Sequence, residues 1–131
     1  MALFMLDTDT ISFALRGHGG VGLEVAQRRP SELCMSAITL AELRFGADKR
    51  KSKKIRAAVD AFADAIQVLP FDASAAARFG LIAASLSERG VPIGQMDTLI
   101  ASHALVLNAT LVTNNQKHFS KVHGLRLVNW V

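Results

Sequence analysis

Leu3-Phe4-Met5-Leu6-Asp7-Thr8-Asp9-Thr10 is the stretch that decides the fold. Four consecutive apolar residues without alternation suit a strand covered on both faces, and the acid that ends the run is followed by residues that favour a helix start. The segment reads as strand, acid, helix. Further short apolar runs at residues 33–35, 67–69, 109–112 and 126–128 read as strands of the same kind. Helical patterns lie between them. Ile55, Ala58, Val59, Phe62 and Ile66 trace one stripe with Asp60 and Asp64 opposite, and the alanine-rich residues 73–89 predict a helix that stops at Gly90. Strands alternating with helices specify an α/β layer fold with a short, mostly parallel sheet. Residues 90–94 are the clearest loop, and no domain boundary, repeat or low-complexity segment divides residues 1–131.

Asp7, Glu42 and Asp97 share one peculiarity: each sits in, or directly off the end of, an apolar pattern. Glu42 shares a helical face with Ile38, Ala41 and Phe45, and Asp97 heads a stripe of Ile100, Ala101 and Ala104. Singly, Asp7 reads as a helix N-cap, Glu42 as a partner for Arg44 or Lys49, and Asp97 as a first-turn acid facing the helix dipole. Together they point to one shared, cation-filled site, because a carboxylate on a buried face is costly unless compensated. Ligands in α/β sheets bind beyond the carboxyl ends of the strands. Asp7 lies there after the first strand and Thr113-Asn114-Asn115 after the fourth, so one edge gathers Asp7, Asp97 and Asn115 with Glu42 reaching in. Hard oxygen donors, with His18, His103, His118 and His123 scattered, suit Mg²⁺ or Mn²⁺ rather than zinc. His103 is expected in the core.

Composition narrows the partners. Half of the 131 residues are apolar, enough for a real core, and the net charge is +4. The stretch Lys49-Arg50-Lys51-Ser52-Lys53-Lys54-Ile55-Arg56 puts six cations into eight residues. Such a run reads either as a solvated helix junction or as a surface for a phosphate backbone. The one cysteine, Cys34, excludes an intramolecular disulfide and reads as a small buried residue. With no signal-peptide pattern and no membrane-spanning run, a cytoplasmic protein is expected. Phe13, Phe45 and Phe119 are expected in the core rather than as base-stacking platforms.

The motifs in order resemble those of the PIN-domain nucleases, and within them the VapC-type toxins of toxin–antitoxin pairs. The opening resembles Phe4 to Thr10. The second block resembles Ser36-Ala37-Ile38-Thr39-Leu40-Ala41-Glu42-Leu43 with Gly46-Ala47, and the third Pro92-Ile93-Gly94 with Asp97, Ile100-Ala101 and His103-Ala104. Val112-Thr113-Asn114-Asn115, Phe119 and Asn129-Trp130 complete a match that spans essentially the whole chain. The resemblance implies a single PIN-like three-layer domain and a Mg²⁺- or Mn²⁺-dependent endoribonuclease held inactive by a cognate VapB-type antitoxin. It also implies Asp7, Glu42 and Asp97 as metal-site acids, with Thr113 and Asn115 in the fourth site motif. Arg16, Arg44, Lys49, Arg50 and Lys117 are candidate RNA phosphate contacts, and a homodimer is expected.

Three positions depart from the family pattern. Asn115 stands where many PIN domains carry an acid, and His118 where close relatives often carry one before the aromatic. Neither supplies a negative charge toward a second metal. Asp9 replaces the usual Asn, and reads either as a compensating charge or as a cap on the first helix. Water attack under metal control is expected to leave a 5′-phosphate and a 3′-hydroxyl. Two alternatives follow from the residues. One is a PIN domain that binds RNA or antitoxin without cutting, and the other is a receiver-type domain phosphorylated on Asp72, a residue that also reads as a helix N-cap.

Overall fold

Residues 2–131 are described by a computed structural model. Five short strands form one sheet: β1 (Phe4–Leu6), β2 (Leu33–Ser36), β3 (Gln67–Leu69), β4 (Thr110–Val112) and β5 (Leu127–Val128). Their order is β3-β2-β1-β4-β5, and every neighbouring pair is parallel. Helices α1 (Thr8–Leu15) and α2 (Val21–Gln27) connect β1 to β2, and α3 (Ala37–Lys49) and α4 (Lys53–Ala65) connect β2 to β3. The return from β3 to β4 runs through α5 (Ala73–Glu88) and α6 (Gln95–Val106), and α7 (Gln116–Phe119) precedes β5.

The helices start where the sequence supplies oxygen acceptors. Asp7, Ser36, Ser52 and Asp72 each accept a backbone N–H at the N-terminus of α1, α3, α4 and α5. Asp72 is thus the cap of α5, which accounts for it without phosphorylation.

Parallel connections are right-handed, so steps that run outward from β1 to β3 and steps that run back toward β5 put their helices on opposite faces. The side-chain alternation of each strand matches that division. Leu6, Met35 and Val112 pack with Ile11, Val21, Leu43 and Val59 of α1 to α4. Met5, Cys34 and Leu111 pack on the other face with Leu86, Ile100, Ala104 and Phe119 of α5 to α7. The result is three layers, helix on sheet on helix. Arg28, just after α2, lies over the rings of Phe4 and Trp130, at 4.3 and 4.7 Å from their centroids.

Cys34 is fully buried and its thiol is pushed up to about 12 by desolvation. The histidine expected in the core, His103, is there, with Nδ1 2.8 Å from Ser36 Oγ. Phe119 is also buried, but Phe45 is 66% exposed, against expectation. The buried face of α3 carries Thr39, Leu43 and Ala47, one residue or about 100° around the axis from the face that carries Glu42. Ala41 is exposed as well. Glu42 therefore stands half-buried at the margin of the core, not inside an apolar stripe.

Leu111 is inaccessible on a strand between two neighbours, so Leu111→Ala should lower unfolding free energy by about 2–5 kcal/mol in denaturant titration.

Candidate active site

The sheet order changes direction between β1 and β4, the two strands whose ends carry Asp7 and Thr113. A crevice opens at such a point because the connections leave in opposite directions. Leu6 is in register with Val112, and the Asp7 N–H donates to the Val112 carbonyl at 3.1 Å. Thr10 Oγ1 donates to the same carbonyl at 3.0 Å. Asp7 and Thr113 are thereby fixed side by side at the carboxyl edge.

Asp7 is 5% exposed, and its Oδ1 accepts the Thr10 N–H at 2.8 Å. Its pKa is raised by burial, partly opposed by hydrogen bonds from Thr113 and Thr10, with the negative charge of Asp9 pushing it further up. The N-cap reading of Asp7 holds, and its carboxylate also borders the small cavity at the sheet edge. Asp9 does not cap the helix; it lies exposed in the first turn of α1 with its charge toward the site.

Glu42 comes from α3, where Thr8 Oγ1 donates to its Oε1 at 2.6 Å. Asp97 comes from the first turn of α6, just after Gly94, whose φ of 93° belongs to the region that favours glycine. Burial raises the Asp97 pKa; His118 opposes the shift and the charge of Asp7 adds to it. His118 Nε2 lies 3.0 Å from Asp97 Oδ2 and 2.7 Å from the Ile93 carbonyl. Thr113 Oγ1 accepts the Asn115 N–H at 3.0 Å, which holds the turn that presents Asn115.

These side chains meet in a cavity of about 80 Å³ lined by Asp7, Thr8, Asp9, Glu42, Asp97, Asn115 and Phe119. It continues into a groove of about 860 Å³ that shares Thr8, Asp9 and Glu42. The groove has an apolar floor of Leu15, Leu43, Ala47, Ile55 and Val59, and carries Arg16, Arg50 and Lys54. Arg16 and Arg50 were candidate phosphate contacts; Lys54 was not singled out, although it lies in the same basic run. Arg44 is instead paired with Asp60 at 2.6 Å, Lys49 sits over the Phe45 ring, and Lys117 lines neither the cavity nor the groove. Thr8 was also missed as a site residue, being an uncharged neighbour of the conspicuous acids.

Among the described residues, no three His, Cys, Asp or Glu side chains form a ready-made metal cage. The donor chemistry nonetheless fits a hard divalent ion: carboxylates from three elements border one small cavity, and Asp7 and Asp97 have pKa values raised by burial and by the charge of neighbouring carboxylates. A cation is the natural relief for that charge.

The PIN domain profile matches residues 4–125. The chain is 37% identical over 131 residues to the tRNA(fMet)-specific endonuclease VapC of Shigella flexneri, covering 99% of each. It is 36% identical to the ribonuclease VapC2 of Rickettsia felis, covering 98% of each. Among solved structures, the DNA-bound VapBC of Salmonella typhimurium superposes with a TM-score of 0.94 at 34% identity, covering 100% of both chains. VapBC2 of Rickettsia felis, bound to a promoter DNA fragment, gives 0.91 at 34% identity over 98% of this chain and 99% of that one.

Because the pKa values of Asp7 and Asp97 are raised in the folded state, the native chain binds protons more tightly than the unfolded one, and metal-free stability falls as pH rises from the usual carboxylate range through those raised values. Asp7→Asn, which keeps a good capping group, should raise the melting temperature of the metal-free chain at pH 7 and flatten its pH dependence. Asp9→Asn should weaken Mn²⁺ binding by about 2–5-fold in calorimetric titration, as loss of one partly screened charge requires; unchanged affinity would show that Asp9 compensates nothing.

Proposed function

The chain belongs to the PIN-domain family, among its VapC ribonucleases, and from that premise we propose that the cavity around Asp7 cuts RNA phosphodiester bonds as the toxin half of a VapBC pair. The observation that carries this reading is the convergence of Asp7, Glu42 and Asp97 on one cavity that opens into a groove with cationic residues. Mg²⁺ or Mn²⁺, when bound, supplies Lewis-acid activation of water and neutralises charge on the scissile phosphate. Asp7, Glu42 and Asp97 would hold the ion. Thr113 fixes Asp7 from one side and sets the turn from which Asn115 orients the reacting groups, while Arg16, Arg50 and Lys54 bind the phosphates of the strand leading into the cavity. Hydrolysis of this kind leaves a 5′-phosphate and a 3′-hydroxyl.

The groove also suits a VapB-type antitoxin. Its apolar floor takes the apolar face of an amphipathic segment, its cations pair with acids on that segment, and an arginine reaching the carboxylates would neutralise them. No helix among the described residues is long and apolar enough to cross a membrane.

Purified, antitoxin-free chain should cleave RNA into discrete fragments with Mg²⁺ or Mn²⁺ and stop on adding EDTA, with tRNA(fMet) the first substrate to assay. Asp7→Asn, at matched fold stability, should cut at least about 100-fold more slowly, since several kcal/mol of charge stabilisation are at stake. A well-folded wild-type chain that cuts no RNA with either ion would favour the non-cutting binder.

A further inference from the structure

We propose that Thr8 and His118 determine which ion this cavity accepts, by occupying one oxygen each of Glu42 and Asp97. The inference rests on the cavity being a divalent-metal site. Thr8 donates to Glu42 Oε1 at 2.6 Å, while Oε2 accepts nothing from any described residue. On the opposite wall His118 Nε2 approaches both the Ile93 carbonyl and Asp97 Oδ2, at 2.7 and 3.0 Å. A carbonyl only accepts, so Nε2 carries its proton whether the ring is neutral or charged. That nitrogen has no lone pair for a metal; its N–H is donated to the Ile93 carbonyl, and the same nitrogen stands 3.0 Å from Asp97 Oδ2, covering that oxygen. Oδ1 of Asp97, like Oε2 of Glu42, takes no hydrogen bond from a described residue. The His118 ring is held edge-on to Phe119, with centroids 5.5 Å apart. Asp7 completes the set by giving its Oδ1 to the Thr10 N–H.

Glu42 and Asp97 thus each arrive with one oxygen covered by the protein and one open to the cavity. Carboxylates restricted to single-oxygen ligation suit Mg²⁺ and Mn²⁺, which take six ligands and keep several waters; Ca²⁺ takes six to eight oxygens and readily uses both oxygens of a carboxylate. Thr8 and His118 are positioning residues, and their effect is to discriminate against Ca²⁺.

Calorimetric titration of the full chain with Mn²⁺ alone and in competition with Ca²⁺ tests this without measuring catalysis. Wild type should bind Mn²⁺ and resist displacement by Ca²⁺. Thr8→Val and His118→Phe should each weaken Mn²⁺ binding about 10–100-fold, as loss of an orienting partner does, and narrow the preference over Ca²⁺. Thr8→Ser restores the hydroxyl and His118→Gln an N–H near the Nε2 position, so both should recover the wild-type preference; circular dichroism melts verify the fold of all four. An Mn²⁺ to Ca²⁺ ratio unmoved by Val and Phe, or moved equally by Ser and Gln, overturns the proposal and leaves the ribonuclease reading standing. A wild-type chain that binds no Mn²⁺ overturns both.

Discussion

The carbonyl of Val112 accepts two hydrogen bonds, from the Asp7 N–H and from Thr10 Oγ1, and the site is built around that one acceptor. The first bond joins the end of β1 to the end of β4, where the sheet changes direction. The second ties the first turn of α1 to the same point, so strand end and helix start cannot drift apart. Asp7 is pinned between them with its carboxylate turned inward, and Thr113, one residue beyond Val112, is placed to donate to it. Glu42 and Asp97 then need only arrive from either side. They do so from α3 and α6, whose ends are spanned by the contact between Ser36 and His103.

This arrangement sets stability against chemistry. A folded domain gains from burying apolar surface and loses from burying charge. The cavity concentrates acidic side chains in a chain whose overall charge is positive, while several of the nearby cations are spent elsewhere: Arg44 on Asp60 and Arg56 on Asp48. The cations left in the groove, Arg16, Arg50 and Lys54, sit along its length and leave the acids exposed to one another. Segregation of this kind leaves two separate charge regions, a cationic groove complementary to an anionic strand and an acidic cavity complementary to a small cation.

Much of this was legible in the chain. Five strands stand where short, mostly apolar runs predicted them, because the central strands β1, β2 and β4 are covered on both faces and so carry little polar side chain. Asp97 heading Ile100, Ala101 and Ala104 was readable because α6 is buried along nearly its whole length. Glu42 borders the cavity as expected, but not from within an apolar stripe: helical periodicity cannot tell which of two adjacent faces meets the core, and the face of Leu43 won over that of Phe45. The contacts of Thr8 with Glu42 and of His118 with Asp97 were not legible, since they join residues 34 and 21 apart in sequence through side-chain directions that only the packed fold fixes. Nor could the basic run reveal which of its members face the groove, as that depends on the turn between α3 and α4.

The buried thiol of Cys34 has a practical consequence. It is the chain's one cysteine, it is sealed between sheet and helices, and its pKa of about 12 keeps it protonated at any physiological pH. A thiol that is neither exposed nor ionised does not react with alkylating probes or mild oxidants. The native chain is therefore chemically silent toward thiol reagents, and a cysteine introduced on its surface would be the single point of attachment for a fluorophore or spin label, with no background to remove.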